Sequence, residues 1–177
     1  MDASPVDVLR EWHDFYVLIG TASATLVGLM FVAASIGASF FIAEREAGLR
    51  AFLTPTVLHF TAVLIACLVL TVPSHSWESL GGLVLTGGVI GLGYACAVGL
   101  SMRRGGFSAT IDWEDRFWYV IAPVASYLLL TGAAILLLVR SPRGFDLLAV
   151  ALLLLLLLGI RNAWDMTVWM VLRSPTR

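Results

Sequence analysis

The sequence predicts an all-α integral membrane protein, a bundle of five transmembrane helices in one domain. Its composition supports this fold class, because 59% of the residues are hydrophobic and only 13% are charged, against roughly 45–50% and 25% in soluble domains. The apolar residues also form five long segments, each able to cross a hydrocarbon layer of about 30 Å at about 1.5 Å rise per residue. These segments cover residues 17–43, 52–72, 80–102, 117–139 and 145–172.

The first segment is predicted to remain as a helix rather than to be cleaved as a secretory signal. Four acidic residues and only one basic residue, Arg10, precede it. A signal peptide has a positively charged start and a shorter apolar run than residues 17–43.

Prolines suggest where the second and fourth helices begin, end or bend. Thr54 is expected to cap the second helix, with Pro55 in its first turn and Pro73 just beyond its end. Pro123 is expected to kink the fourth helix and to free a carbonyl, which Ser126, a neighbouring helix or water must accommodate. The leucine run at 152–158 in the fifth helix has no small residues and is expected to face lipid over much of its surface.

Small residues recur every fourth position in two segments and predict close helix packing, since small side chains let helix backbones approach in a membrane. One row lies in the first segment and one in the third. Two readings remain open, contact within the chain or an interface between subunits. The predicted helix-packing residues are Gly20, Ala24, Gly28, Gly87, Gly91, Ala95 and Gly99.

The distribution of arginine predicts that the N-terminus is outside and the C-terminus inside. With this orientation, seven arginines lie in the inner loops and tail and three lie outside, and Arg161 is counted on neither side because it falls within the fifth segment. Loops rich in Lys and Arg stay on the cytoplasmic side.

Polar residues within the apolar segments are the candidates for a site, because each is costly in a bilayer and tends to face the bundle interior. Arg161 and Asp165 are four residues apart, so they share a helix face and can pair, with Asn162 beside them. Arg161, Asn162 and Asp165 are either buried within the membrane or placed at its surface. His59 is either a hydrogen-bonded packing residue or a group that handles protons or a metal.

The sequence contains no positive indication of an enzyme, a cofactor or a resident metal. It has no phosphate-binding glycine loop and no H-E-x-x-H motif, and its two cysteines cannot form a zinc site alone. A net charge of −1 argues against a nucleic-acid partner.

Three stretches, WHDFYVLIGT at 12–21, LVGLMFVA at 26–33 and GIRNAWD at 159–165, resemble an uncharacterised family of small bacterial inner-membrane proteins. The resemblance implies a multi-pass location in the bacterial inner membrane and supplies no activity.

Two functions follow as hypotheses. The first is an oligomeric channel or small permease, based on the polar residues and the rows of small residues. The second is a non-catalytic accessory or scaffold subunit of a larger membrane complex. In both, the partners are the lipid bilayer and either further copies of this chain or other membrane subunits.

Overall fold

The computed structural model of the chain describes residues 4–37, 46–104 and 113–172, and among these the side chains of 4–35, 54–102, 113 and 116–168. The described residues form helices joined by short turns and contain no strand. The elements are α1 (Pro5–Glu11), α2 (His13–Gly37), α3 (Glu46–Leu70), α4 (Trp77–Arg104), α5 (Trp113–Arg116), a π-helical turn (Phe117–Ile121), α6 (Ala122–Leu138) and α7 (Arg143–Leu172).

The all-helical prediction is confirmed, and four of the described helices are long and apolar enough to cross a membrane. They are His13–Ser35, Trp77–Met102, Phe117–Leu138 and Arg143–Val168. They coincide with the first, third, fourth and fifth predicted segments, although residues 38–43 of the first lie outside the described chain. The second predicted segment falls in α3, where Thr54–Leu70 forms a shorter apolar helix.

The N-terminal residues form an additional short helix that was not predicted. The side chain of Ser4 accepts a hydrogen bond from the backbone N–H of Val6, and Pro5 occupies the first turn. A capping serine followed by proline is a recognised helix start, so the signal was present in the sequence. Trp12 separates α1 from α2, which begins at His13, four residues before the predicted start.

The predicted start of α3 at Thr54 is wrong. The helix begins at Glu46, and Pro55 lies inside it. Proline removes only one backbone donor, and helices in membrane proteins tolerate it because neighbouring groups satisfy the freed carbonyl. The other end agrees with the prediction, since α3 ends at Leu70, three residues before Pro73.

Pro123 follows a local widening of the helix. The backbone N–H of Ala122 bonds to the carbonyl of Phe117, five residues earlier, instead of four. Ser126 then donates from Oγ to the carbonyl oxygen of Ala122 at 2.9 Å. The backbone therefore adapts to the proline by a π-helical turn between α5 and α6.

The long helices run antiparallel to their neighbours in the chain. Gly81 near the start of α4 meets Leu138 at the end of α6, while Gly99 near the end of α4 meets Val120. The most extensive contacts join α4 to α6, α6 to α7, α7 to α3 and α3 to α2. Since α3 also contacts α4, the helices α3, α7, α6 and α4 surround a common interior, and α2 packs on α3.

The expectation that the leucine run of α7 faces lipid over much of its surface is correct only in part. Leu153, Leu154 and Leu157 are exposed, but α7 is the central helix and buries the remaining leucines of the run. It packs against α3 on one side and α6 on the other, with a smaller contact to α2. In its apolar span 56% of the residues are buried, against 22% in the spans of α2 and α4. Leu152 and Leu155 are fully buried, and Leu157 is exposed. Lipid and protein interior are equally apolar, so leucine alone does not distinguish them.

On α4 the predicted row of small residues is correct in part. A Cβ at Gly91 would collide with the ring of Tyr127, and one at Gly99 would lie 2.8 Å from Val120. Ala95 is buried. Gly87 is different, because a Cβ added there would have no atom within 4 Å. Its place on the contact face is taken by Gly88, whose Cβ position lies 2.7 Å from Oγ1 of Thr131.

On α2 only the first member of the predicted row takes part in packing. A Cβ at Gly20 would lie 3.0 Å from Cβ of Cys67 on α3, but nothing lies within 4 Å of the Cβ position of Gly28, and Ala24 is exposed. The reason is geometric, since at 3.6 residues per turn a row of every fourth residue turns by about 40° at each step. The buried face follows alternating steps of three and four instead, through Tyr16, Ile19 and Ser23.

Candidate functional site

Five polar side chains are buried among the described residues, and they lie in one layer of the bundle. Gly159 of α7 lies at the level of this layer, and a Cβ added to it would collide with the ring of Phe60 of α3. Each buried polar residue is within about two helical turns of this level, by its position in the chain or by a contact described below. The five are Ser23, Thr56, His59, Ser126 and Asn162.

Ser23 ties α2 to α3 within this layer. Its Oγ donates a hydrogen bond of 2.6 Å to the backbone carbonyl of Phe60. The bond is buried, so both partners are removed from competing donors and acceptors, and it sets the height of α2 against α3. A bond of this kind contributes about 1 kcal/mol of net stability.

His59 is buried and connects α3 to α6. Its Nδ1 lies 3.0 Å from the hydroxyl oxygen of Tyr127, whose side chain is 2% exposed. The ring of Tyr127 reaches this position because Gly91 of α4 has no side chain to block it. Tyr127 was absent from the predicted site residues. A tyrosine in the middle of an apolar segment was the available signal, since a buried tyrosine hydroxyl usually finds a hydrogen-bond partner.

Arg161 and Asp165 form the predicted ion pair along one face of α7. Their side chains are 34% and 31% exposed, so the pair lies at the surface of the bundle, half-buried. The guanidinium carbon of Arg161 also lies 5.7 Å from the ring centroid of Trp118, a cation–π contact that joins α7 to the π-helical turn. The two charges thus offset each other beside an aromatic ring.

Asn162 does not share the surroundings of this pair. Its side chain is 2% exposed, and neither its amide nitrogen nor its amide oxygen has a hydrogen-bond partner among the described residues. Neither predicted placement holds for all three residues, since the ion pair is half-exposed and the amide is buried. A buried polar group without a partner costs about 1–3 kcal/mol.

The hydroxyl of Tyr16 is also buried without a hydrogen-bond partner in the described chain. Tyr16 lies near the start of α2, two turns from Ser23, and its ring packs with those of Trp12 and Phe15. At this end of the bundle, Arg140 and Glu78 form an exposed ion pair.

No group of three or more His, Cys, Asp or Glu side chains that could hold a metal ion occurs within the described part of the chain. The described cysteines, Cys67 and Cys96, are both free thiols.

The geometry joins residues that are far apart in the chain. Of the predicted site residues, His59 and Asn162 belong to the interior layer, whereas Arg161 and Asp165 line its edge. The arrangement offers uncharged donors and acceptors inside and a neutralised ion pair at the border.

Comparisons with protein-family models, with curated proteins and with solved structures found no match. The functional inference is therefore drawn from the residues of this chain.

Proposed function

We propose that this chain crosses the bacterial inner membrane five times, with the N-terminus outside and the C-terminus inside. The observation in favour of a fifth span is the length of α3, which has 25 residues and so extends about 37 Å. It packs antiparallel to α2 and along α7, both of which are apolar enough to span a membrane. The arginine distribution supports the orientation.

Labelling of single cysteines in intact cells tests this topology. We expect Asp7→Cys to react with a membrane-impermeant thiol reagent and Thr176→Cys to be protected. The parent chain is the control, because Cys67 and Cys96 lie within helices. The reverse pattern would mean that the orientation is wrong, and labelling of both termini would contradict an odd number of spans.

We propose further that the chain is an oligomeric channel or small permease. The observation that carries this proposal is the layer of buried polar side chains in an otherwise apolar bundle. Each such group is costly in a bilayer, and polar residues inside membrane proteins commonly mark the route of a substrate. Their concentration at one level, together with an Asn162 amide that has no hydrogen-bond partner among the described residues, favours a site for a passing molecule over scattered packing contacts.

A scaffold subunit of a larger membrane complex is the second candidate, and the exposed small residues favour it. Gly28 of α2 and Gly93 of α4 are exposed and have no atom within 4 Å of their Cβ positions. Such surfaces allow close approach of another transmembrane helix. The same surfaces also serve assembly of identical subunits, so they support oligomerisation under either candidate.

Reconstitution into liposomes separates the two functions. The purified chain is tested with a panel of water, urea, glycerol, K⁺, Cl⁻ and H⁺, and the particle mass is measured in parallel. The channel or permease function requires a permeability above that of protein-free vesicles for at least one member, with loss of that permeability in His59→Leu. A folded, oligomeric particle that passes none of them would contradict transport and support the scaffold.

A further inference from the structure

The buried amide of Asn162 forms none of the hydrogen bonds between helices described above. It is fully enclosed, and both its polar atoms lack a hydrogen-bond partner within the described chain. A carboxamide offers two donors and one acceptor oxygen. Buried groups of this kind are bonded to protein, to ordered water or to a ligand in nearly all native proteins.

The position of Asn162 on α7 shows which part of the bundle its side chain faces. Asn162 follows Gly144 by 18 residues, which is about five complete turns, so the two share one face of the helix. Gly144 contacts Leu137 and Ala133 of α6, and Gly159, three residues before Asn162, contacts Phe60 of α3. The amide therefore projects between α3 and α6.

The hydrogen bond between His59 and Tyr127 crosses this same space. His59 is adjacent to Phe60, which lies opposite Gly159, and it bonds across to Tyr127 of α6. Asn162 is one turn further along α7, an axial offset of about 4.5 Å. Side chains on a helix lean toward its N-terminus, so the amide leans back toward the level of this bond.

The described groups that converge between α3 and α6 are an amide, an imidazole and a phenol, and none of them is a carboxylate or a guanidinium. The charges of Arg161 and Asp165, which are neighbours of Asn162 on α7, are paired with each other at the edge of the bundle. A site built from an amide, an imidazole and a phenol can exchange hydrogen bonds with a neutral guest. It provides no counter-charge for an ion.

We propose that Asn162, with His59 and Tyr127 beside it, binds a small neutral hydrogen-bonding molecule, for which water is the smallest example. The inference deepens the proposed channel or permease function and rests on it, because it names the class of molecule that occupies the site.

A direct test uses the fact that Asn162 is the one asparagine in a chain without glutamine. Labelling with side-chain ¹⁵N-asparagine therefore gives a single carboxamide signal in an NMR spectrum of the protein in lipid. We expect magnetisation transfer from water to this amide. We also expect its chemical shift to move in Tyr127→Phe and to stay unchanged in Thr167→Ala.

Thr167 is the control because it lies on the same helix as Asn162, is exposed, and bonds to the carbonyl of Ala163 within its own helix. An amide that receives no magnetisation from water, and whose signal is unmoved by urea and by glycerol, would overturn the proposal. This readout needs no transport, so it fails independently of the proposed function.

Flux measurements test the class of molecule. In liposomes we expect water, urea or glycerol to permeate, and Asn162→Ala to reduce that permeability about three- to tenfold, as expected for loss of one uncharged hydrogen bond. Thr167→Ala should retain it. A parent chain that conducts K⁺, Cl⁻ or H⁺ and excludes all three neutral solutes would overturn the neutral class while leaving the transport function in place.

Discussion

Gly91 provides the sharpest test of the packing around the buried layer. A Cβ added there would overlap two ring carbons of Tyr127 and lie 2.7 Å from a third, Cζ. Tyr127 is 2% exposed, so its ring has little room to move. Gly91→Ala should therefore destabilise the fold, although alanine is the better helix former.

The expected magnitude follows from three contributions. Overpacking by a methyl group costs about 1–3 kcal/mol. Displacing the Tyr127 ring by about 1 Å would also break its 3.0 Å bond to His59, which adds about 1 kcal/mol. Replacing glycine by alanine in a helix returns about 1 kcal/mol. The free energy of unfolding should thus fall by about 1–3 kcal/mol.

Gly87→Ala is the matched control on the same helix. Gly87 lies one turn earlier, and nothing lies within 4 Å of its Cβ position. Only the gain in helix propensity remains, so its stability should be unchanged or higher by up to about 1 kcal/mol.

Unfolding can be followed in detergent by a thiol-reactive dye. Cys67 is 2% exposed and reacts only on unfolding, while the exposed Cys96 is replaced by alanine in every variant. Equal thermal midpoints for Gly91→Ala and Gly87→Ala would refute the close approach of α4 to Tyr127.

Two further predictions concern charged residues. Arg140 has a positive φ of 60°, which costs a non-glycine residue about 1–2 kcal/mol, whereas its pair with Glu78 is exposed and contributes little to stability because water screens it. Arg140→Gly should therefore raise the thermal midpoint, and Glu78→Gln should leave it nearly unchanged; a lower midpoint for Arg140→Gly would show that the pair outweighs the strain. For the half-buried pair on α7, Asp165→Ala should reduce stability more than Arg161→Leu combined with Asp165→Leu, because the single change leaves a charge without its partner. The loss should be below the roughly 3–5 kcal/mol typical of fully buried pairs, and single variants as stable as the parent would mean that water screens the pair.

Several features of the fold could be predicted from the chain because they depend on local order. The lengths of the apolar runs predicted α2, α4, α6 and α7 to within a few residues at the ends that the structure describes. Pro73 marked the end of α3, and the four-residue spacing of Arg161 and Asp165 predicted their pairing on one helix face. Each of these follows from helical rise, helical period or the chemistry of proline.

The candidate site could be predicted only in part. His59 and Asn162 stood out because polar residues are costly in an apolar segment. Tyr127 did not, because its partner is 68 residues away and only the crossing of α3, α4 and α6 brings them together. The grouping of Asn162 with Arg161 was also wrong, since neighbours in a helix point about 100° apart.

The sequence by itself determined that this chain is helical and apolar enough for a membrane, because backbone hydrogen bonding and hydrophobicity are properties of each segment alone. Only the tertiary structure decided which faces meet. It placed the leucine-rich α7 at the centre, and it put Gly88 rather than the predicted Gly87 on the packing face of α4. It also left Gly28 exposed and directed the amide of Asn162 inward. The physical reason is that apolar side chains gain as much from lipid as from one another, so helix order and rotation depend on shape complementarity among all the helices together.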